Sequence, residues 1–277
     1  MRQTNLNFAI LAAMSSSQNL PDSPRKPRGI YLLPNLFTTA GMFSGFYAII
    51  AATQGKFEHA CVAIFLAAVF DGMDGRIARL TNTQSEFGAQ YDSMSDLVSF
   101  GLAPALVMYH WSLIFLRQDS VMLGKLGWMA AFLYAACGAL RLARFNSQIT
   151  QVDKRWFVGL ASPAAASLMA AFIWTCVDNG ITSGESIRFI ALPFTAIVGL
   201  LMFSRFFYTS FKGSRSDGRV PFWVMLLLVL AIIGVALNPP VVLFAVFGLY
   251  ALYGPVAWLL RKITRRAPPS VSVTPHE

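Results

Sequence analysis

Charged side chains are scarce in this chain of 277 residues. Only 13% of them are Asp, Glu, Lys or Arg, whereas 56% are hydrophobic, and the mean hydropathy is +0.55. A soluble domain needs a charged, hydrated surface, so the composition excludes one or two soluble domains. It is typical of a protein that crosses a membrane several times.

Cysteine is also rare. The three cysteines, Cys61, Cys137 and Cys176, each lie inside an apolar run, and their spacing does not match a metal site. They are therefore interpreted as small hydrophobic residues, and no disulfide framework is expected.

Acidic residues number 13 against 22 lysines and arginines, which gives a net charge of +9. Against this background, the stretch 71–101 contains four aspartates, Asp71, Asp74, Asp92 and Asp96. An ionised carboxylate beside apolar sequence is very expensive unless a cation or hydrogen bonds compensate it. Helical spacing places the first two aspartates on one face, and the last two on one face of a second helix that begins near residue 88. A hairpin through the polar turn 81–86 would bring all four carboxylates together.

Four carboxylates indicate a site for hard cations. Ligation by oxygen alone suits Mg²⁺ or Mn²⁺ rather than zinc, and two divalent ions would balance the charge. The alternative is that the aspartates are helix caps or partners of Arg76 and Arg79. The same faces carry three small residues, Gly75, Ala78 and Gly88. These would leave room for a phosphate; the alternative is that they only allow close helix packing.

These residues form a spaced pattern that resembles a family signature. The pattern is Asp71-x-x-Asp74-Gly75-x-x-Ala78-Arg79, then eight residues, then Gly88-x-x-x-Asp92-x-x-x-Asp96. It resembles the signature of the CDP-alcohol phosphatidyltransferases at every position. The resemblance implies an all-α bundle of membrane helices, two divalent cations (Mg²⁺ or Mn²⁺), CDP-diacylglycerol as donor and CMP as leaving group.

The resemblance also implies roles for individual residues. Asp71, Asp74 and Asp92 would ligate metal, with Asp71 and Asp92 bridging both ions. Asp96 would ligate the second ion and accept the proton of the attacking hydroxyl. The CDP moiety would contact the residues that match the family's nucleotide-binding positions: Asn35, Thr38, Gly75, Ala78, Arg79, Ser85 and Gly88. For Asn35 the alternative is a helix start set together with Pro34.

The acceptor is indicated by two further segments, DLVSFGLAP after the motif and RLARFN at 141–146. Both resemble the serine-accepting branch of the family, which implies L-serine as acceptor. Arginine forks recognise carboxylate or phosphate, so Arg141, Arg144 and Asn146 could hold the acceptor. Alternatively the arginines only anchor a helix end at the membrane surface. Glycerol 3-phosphate, choline and inositol phosphate remain alternative acceptors.

Windows of about 20 apolar residues predict eight membrane spans. They lie near 32–53, 58–79, 93–116, 126–147, 156–177, 187–208, 220–237 and 240–260. Asn238, Pro239 and Pro240 predict a tight turn between the last two spans, and seven spans with a kink there is the alternative. With eight spans, most of the 22 lysines and arginines fall on one side. That side is therefore cytoplasmic, and it holds both termini and the aspartates.

The expected organisation has four parts: a tail at 1–29, a six-helix core at 30–210, two additional helices at 211–262, and a tail at 263–277. We expect a multi-pass protein of a bacterial-type inner membrane, in contact with membrane lipids and with no nucleic-acid partner. The family implies a homodimer through the third to sixth spans. Among other classes, a divalent-cation transporter is the rival, since aspartates inside a membrane often mark an ion path.

Overall fold

The computed structural model describes residues 32–81, 85–147, 156–209 and 222–264. Helices dominate this part of the chain. In order they are α1 (Leu32–Thr53), α2 (Phe57–Leu80), α3 (Glu86–Asp96), a π-helix (Leu97–Leu102), α4 (Ala103–Trp111), a 3₁₀ turn (Leu113–Phe115), α5 (Leu116–Asp119), α6 (Val121–Ser147), α7 (Ser162–Asp178), α8 (Arg188–Phe203), α9 (Phe222–Leu237) and α10 (Pro239–Ile263). Two short strands are present, β1 (Trp156–Val158) and β2 (Phe207–Thr209). The predicted tails, 1–29 and nearly all of 263–277, lie outside the described residues.

Helices α1 and α2 form a tightly packed pair that holds the first two aspartates. The chain reverses between them at Gly55, whose φ of 74° is a conformation that glycine adopts without steric cost. The buried contacts are mostly alanines, among them Ala48, Ala52, Ala60 and Ala67. Small side chains let helix backbones approach closely, which is a common way to pack helices in membranes. The other face of α2 packs against α7.

The third predicted span, 93–116, is not one straight helix. Helix α3 already begins at Glu86, where Ser85 caps it, and the helix widens into the π-helix directly after Asp96. The helical stretch Glu86–Trp111 then bends by 50° into the segment Leu113–Asp119. The position of Pro104 accounts for the widening, because a proline ring clashes with the carbonyl four residues earlier in an α-helix.

The expected all-α bundle is present, and it also carries one short β-ribbon. Strands β1 and β2 pair antiparallel, with Phe157 opposite Tyr208. They lie inside the predicted spans 156–177 and 187–208, so the helices there begin later and end earlier than predicted. Gly159 explains the late start, because its φ of 84° is not helical and a Cβ on it would clash with the carbonyl oxygen of Met202. Helix α7 starts only after this close approach, with a proline in its first turn.

The two C-terminal helices are joined by the predicted tight turn. Helix α9 ends at Leu237 and α10 begins at Pro239, with the Asn238 side chain accepting a hydrogen bond from Val241 N at 3.3 Å. A Cβ on Gly234 would lie 3.2 Å from Val242, so the second helix folds back on the first. This favours a turn over the alternative of one kinked span.

The protein carries several apolar helices fit for a membrane. By length and composition three helices of the described chain qualify as spans, 33–53, 121–147 and 239–263, or four if the bent pair counts as one. Helices α7 and α8 are apolar but shorter. Large hydrophobic side chains such as Phe43, Phe132, Ile197 and Leu249 are exposed on the bundle surface, where lipid would cover them.

Candidate functional site

The four aspartates converge, as the sequence predicted. Asp71 and Asp74 lie one turn apart near the end of α2, and Asp92 lies on α3 facing them. One carboxylate oxygen from each of these three residues lies within 4.8 Å of the other two. The carboxyl group of Asp96, at the end of α3, is close enough to Asp71 to interact with it electrostatically. All four side chains line one narrow cavity between α1, α2 and α3.

None of these carboxylates forms an ion pair with a lysine or arginine in the described part of the chain. The single ion pair there joins Arg188 to Asp119 and involves none of the four. Arg79 instead donates from Nε to the carbonyl oxygen of Gly75 at 2.8 Å, and Arg76 is exposed. The alternative that the aspartates are partners of these two arginines therefore finds no ion pair to support it.

The donor set fits divalent cations. Asp74 is only 5% exposed, and carboxyl groups this close together cannot all stay ionised without added positive charge. Carboxylate oxygens are the ligands that Mg²⁺ and Mn²⁺ prefer. The cluster Asp71, Asp74 and Asp92 can therefore hold a metal ion.

Three hydroxyl groups connect this cluster and its neighbouring residues with helix α1. The Thr38 hydroxyl donates to Oδ2 of Asp74 at 2.8 Å, and Ser95 donates to the main-chain oxygen of Thr38 at 3.1 Å. Ser99 donates to the main-chain oxygen of Gly41 at 3.1 Å. Thr38 was predicted to contact the CDP moiety, and here it also orients a carboxylate. The role of Ser95 was not foreseen. Its only signal in the sequence is that it is a small polar residue beside Asp96.

A second pocket, of about 210 Å³, adjoins the aspartates. Its walls include most residues predicted to bind the CDP moiety: Asn35, Thr38, Gly75, Ala78, Ser85 and Gly88. Ser85 Oγ accepts a hydrogen bond from Gly88 N at 3.0 Å, so this serine also caps α3. A Cβ on Gly75 would meet nothing within 4 Å, which means that this glycine faces open space. Arg79 is exposed beside this pocket rather than inside it.

The three residues proposed for the acceptor have different surroundings. Asn146 donates from Nδ2 to Ser93 Oγ at 3.0 Å and so ties α6 to α3. Arg144 is half-buried, and its guanidinium makes no hydrogen bond that joins it to the cavity within the described residues. Arg141 donates from Nη1 to Ser162 Oγ at 2.7 Å and is close enough to Asp96 to interact with it electrostatically. Its Nε is buried and has no hydrogen-bond partner among the described residues. Lys154 and Arg155, the next basic residues, lie outside the described residues.

Known proteins were compared with this chain. The sequence profile of the CDP-alcohol phosphatidyltransferases matches residues 31–201. A CDP-diacylglycerol–serine O-phosphatidyltransferase of Helicobacter pylori is 34% identical over 230 residues, which cover 83% of this chain and 92% of the relative. A protein of the same name from Methanocaldococcus jannaschii is 33% identical over 197 residues, covering 71% of this chain and 82% of the relative. An archaetidylserine synthase of Methanothermobacter thermautotrophicus is 34% identical over 191 residues, covering 68% and 74%.

Proposed function

The chain belongs to the CDP-alcohol phosphatidyltransferase family, and we propose that it makes phosphatidylserine at its four-aspartate site. It transfers the phosphatidyl group of CDP-diacylglycerol to the hydroxyl of L-serine and releases CMP. The serine oxygen forms a bond to the phosphorus that carries the diacylglycerol, and the bond from that phosphorus to the CMP oxygen breaks. The observation that carries the proposal is the convergence of four carboxylates from α2 and α3 that form no ion pair in the described chain.

The aspartates have two roles in this proposal: they bind cations, and one of them accepts a proton. Asp71, Asp74, Asp92 and Asp96 would hold two divalent cations, Mg²⁺ or Mn²⁺. When bound, such ions supply positive charge that offsets the charge of the diphosphate and of the leaving oxygen. Asp96 accepts the proton of the serine hydroxyl, which requires that its carboxylate be held close to the attacking oxygen.

The donor fits the pocket beside the aspartates. Asn35, Thr38, Gly75, Ala78, Ser85 and Gly88 would contact the CDP moiety, and Arg79 would approach its phosphates from the rim. Small residues allow the nucleotide to approach the backbone of α2 and α3 closely. The open space at Gly75 supports this assignment, because any side chain at that position would project toward the ligand.

For the acceptor, Arg141 is the best supported of the three candidates. Its Nη1 is fixed by Ser162, its Nε is buried without a partner among the described residues, and Asp96 is its acidic neighbour. A carboxylate bound to the free edge of the guanidinium would complete its hydrogen bonds and place the serine hydroxyl toward Asp96. Asn146 would then support the pocket by tying α6 to α3, and Arg144 would lie at its margin.

Eight spans with both termini and the site in the cytoplasm remain our proposal for the topology. Each predicted span corresponds to a helix in the described chain, which supports the number. A bacterial inner membrane would put the aspartates beside cytoplasmic CDP-linked substrates. The division into a core at 30–210, an added helix pair at 211–262 and tails at 1–29 and 263–277 is proposed on the same basis.

A homodimer is also proposed. The small residues of α6 do not support it, since Gly127 packs on Leu113 and Ala130 and Ala131 are buried within the chain. The dimer would instead use the apolar groove between α6 and α8, where Trp128 and Phe132 are exposed. Native mass measurement in lipid nanodiscs tests this, and a monomer there would contradict it.

One assay tests the proposed reaction. The purified protein in detergent–lipid micelles is supplied with Mg²⁺ or Mn²⁺, CDP-diacylglycerol and one acceptor at a time, and CMP release is measured. We expect serine to be the best acceptor, with the Asp71→Asn protein as the inactive control. A better rate with glycerol 3-phosphate, choline or inositol phosphate would refute the serine assignment. If no acceptor releases CMP while proteoliposomes without CDP-lipid take up divalent cations, the protein is a transporter instead.

A further inference from the structure

The π-helix that follows Asp96 has a partner outside its own helix. Within Leu97–Leu102 the hydrogen bonds span five residues, as in Ala103 N to Val98 O. The Tyr134 hydroxyl, on α6, donates to the main-chain oxygen of Phe100 at 3.1 Å. Both the tyrosine and the phenylalanine are buried, at 0% and 1% exposed. Most carbonyl groups inside a helix accept from the helix's own N–H groups, so the reason why Phe100 meets an outside donor has to be found locally.

Pro104 explains why this carbonyl needs a donor. In an α-helix the Phe100 oxygen would accept from the N–H four residues later, which is Pro104, and proline has no N–H. The Tyr134 hydroxyl takes the place of that missing donor. A buried carbonyl that loses its donor is costly, so the hydroxyl favours the local conformation in which it reaches Phe100.

The braced segment forms part of the aspartate cavity. Ser99 and Phe100 line it together with Asp96, and Ser99 is locked against α1, where a Cβ on Gly45 would lie 2.6 Å from its Cα. On the other side Tyr134 is fixed by α8, since a Cβ on Gly199 would lie 2.9 Å from the Tyr134 Cα. The π-helix is therefore held from α1 and from α6, and Asp96 stands one residue before it.

From this geometry we infer that Tyr134 is a positioning residue: by holding the Phe100 carbonyl, its hydroxyl sets the direction in which Asp96 projects toward the reacting groups. The inference rests on the proposed function insofar as it concerns Asp96. Placement errors of about 1 Å near reacting groups can lower rates about a hundredfold. Tyr134 itself touches neither substrate, so its contribution should be seen in kcat rather than in KM.

Tyr134→Phe tests the inference. We expect kcat to fall by about tenfold or more while KM for serine and for CDP-diacylglycerol each stay within about twofold. Tyr208→Phe is the matched control, because Tyr208 is another fully buried tyrosine whose hydroxyl donates to a helix carbonyl, that of Ala251 at 3.0 Å. That helix, α10, carries none of the aspartates, so the control should retain its kcat. Equal losses of kcat in the two variants, or no loss in Tyr134→Phe, would overturn the inference.

Amide hydrogen exchange gives a readout that does not depend on turnover. Tyr134→Phe should speed exchange in residues 97–105 and leave α10 unchanged, even if the protein proves inactive with every acceptor. In that event the proposed function fails while the bracing stands. Exchange that stays at the level of the unmodified protein, or that rises equally throughout the bundle, contradicts the bracing.

Pro104→Ala sharpens the test, since it restores an N–H four residues after Phe100. In the Pro104→Ala protein, the fold-decrease in kcat caused by Tyr134→Phe should be less than half of the fold-decrease that the same substitution causes in the unmodified protein. The same loss in both backgrounds would mean that the hydroxyl does not act through the Phe100 carbonyl, and the inference would fall.

Discussion

Carboxylates at the two ends of the bundle have opposite surroundings. At the end formed by α5 and the start of α8, Asp119 accepts two hydrogen bonds from Arg188, at 2.6 and 2.7 Å. These bonds hold the pKa of Asp119 below its usual range. At the other end four aspartates lie together, and the described chain offers them no arginine or lysine as an ion-pair partner.

The difference separates one carboxylate that the protein's own arginine neutralises from a cluster of carboxylates that no ion pair neutralises. Asp119 is balanced by the fold itself, so it needs no ligand. The four aspartates have no such ion pair, so positive charge from a bound ligand would relieve their mutual repulsion. The predictions below test this contrast.

The largest effect is expected from the aspartates. CMP release should be abolished in each of four variants, Asp71→Asn, Asp74→Asn, Asp92→Asn and Asp96→Asn. Each substitution removes one negative charge from the proposed metal site, and Asp96→Asn also removes the proton acceptor. Chelation with EDTA should have the same effect, reversed by Mg²⁺ or Mn²⁺. Folding should be preserved, since the substitutions reduce repulsion between carboxylates. Thermal unfolding monitors this, and near-normal turnover at limiting metal in any one variant would contradict its assigned role.

The next effect concerns the acceptor. Arg141→Ala should raise the KM for serine about thirtyfold, which corresponds to the loss of a charge-assisted hydrogen bond of about 2 kcal/mol. The KM for CDP-diacylglycerol should change far less. Arg144→Ala is the matched control on the same helix and should leave the serine KM within about threefold. An unchanged serine KM in the Arg141 variant would show that the arginine only anchors α6.

Two glycines allow the ends to be compared directly. A Cβ on Gly45 would lie 2.6 Å from Ser99, beside the aspartates, and a Cβ on Gly184 would lie 2.6 Å from Ser112, at the opposite end. Gly45→Ala and Gly184→Ala should each cost about 1–3 kcal/mol of stability through overpacking. Only Gly45→Ala should also lower kcat, because it displaces the π-helix next to Asp96. Equal kcat values in the two variants, measured well below their unfolding temperatures, would argue against that link.

The smallest effect is expected at Asp119. Asp119→Asn should lower the Tm slightly at neutral pH and leave turnover within about twofold, since exposed ion pairs contribute little. The folded pKa is lowered, so the carboxylate stabilises the protein above the unfolded pKa of about 3.9. That stabilisation is lost as the pH falls through the folded value. The Tm difference between the unmodified and variant proteins should therefore shrink on acidification, and a difference that grows would refute the assignment.

The amino-acid sequence alone was sufficient to predict the aspartate site. Steps of three and four residues put Asp71 with Asp74 and Asp92 with Asp96 on helix faces, and a short polar turn between two helices allows those faces to meet. Apolar segment length likewise predicted where helices occur, because it is a property of local sequence, whereas eight membrane spans stay a prediction. The tight turn at Asn238 to Pro240 was likewise encoded by adjacent residues.

Only the tertiary structure decided how the site is braced and which arginine approaches it. Strands β1 and β2 pair segments that are about 50 residues apart, so no local sequence pattern predicts their pairing. The position of Pro104 can be read from the sequence, but the hydroxyl that donates to the π-helix comes from α6, more than 30 residues away. Arg141 differs from Arg144 in that Ser162 and Asp96 lie beside it. Each of these features rests on contacts between distant segments, whose geometry is set by the packing of the whole bundle.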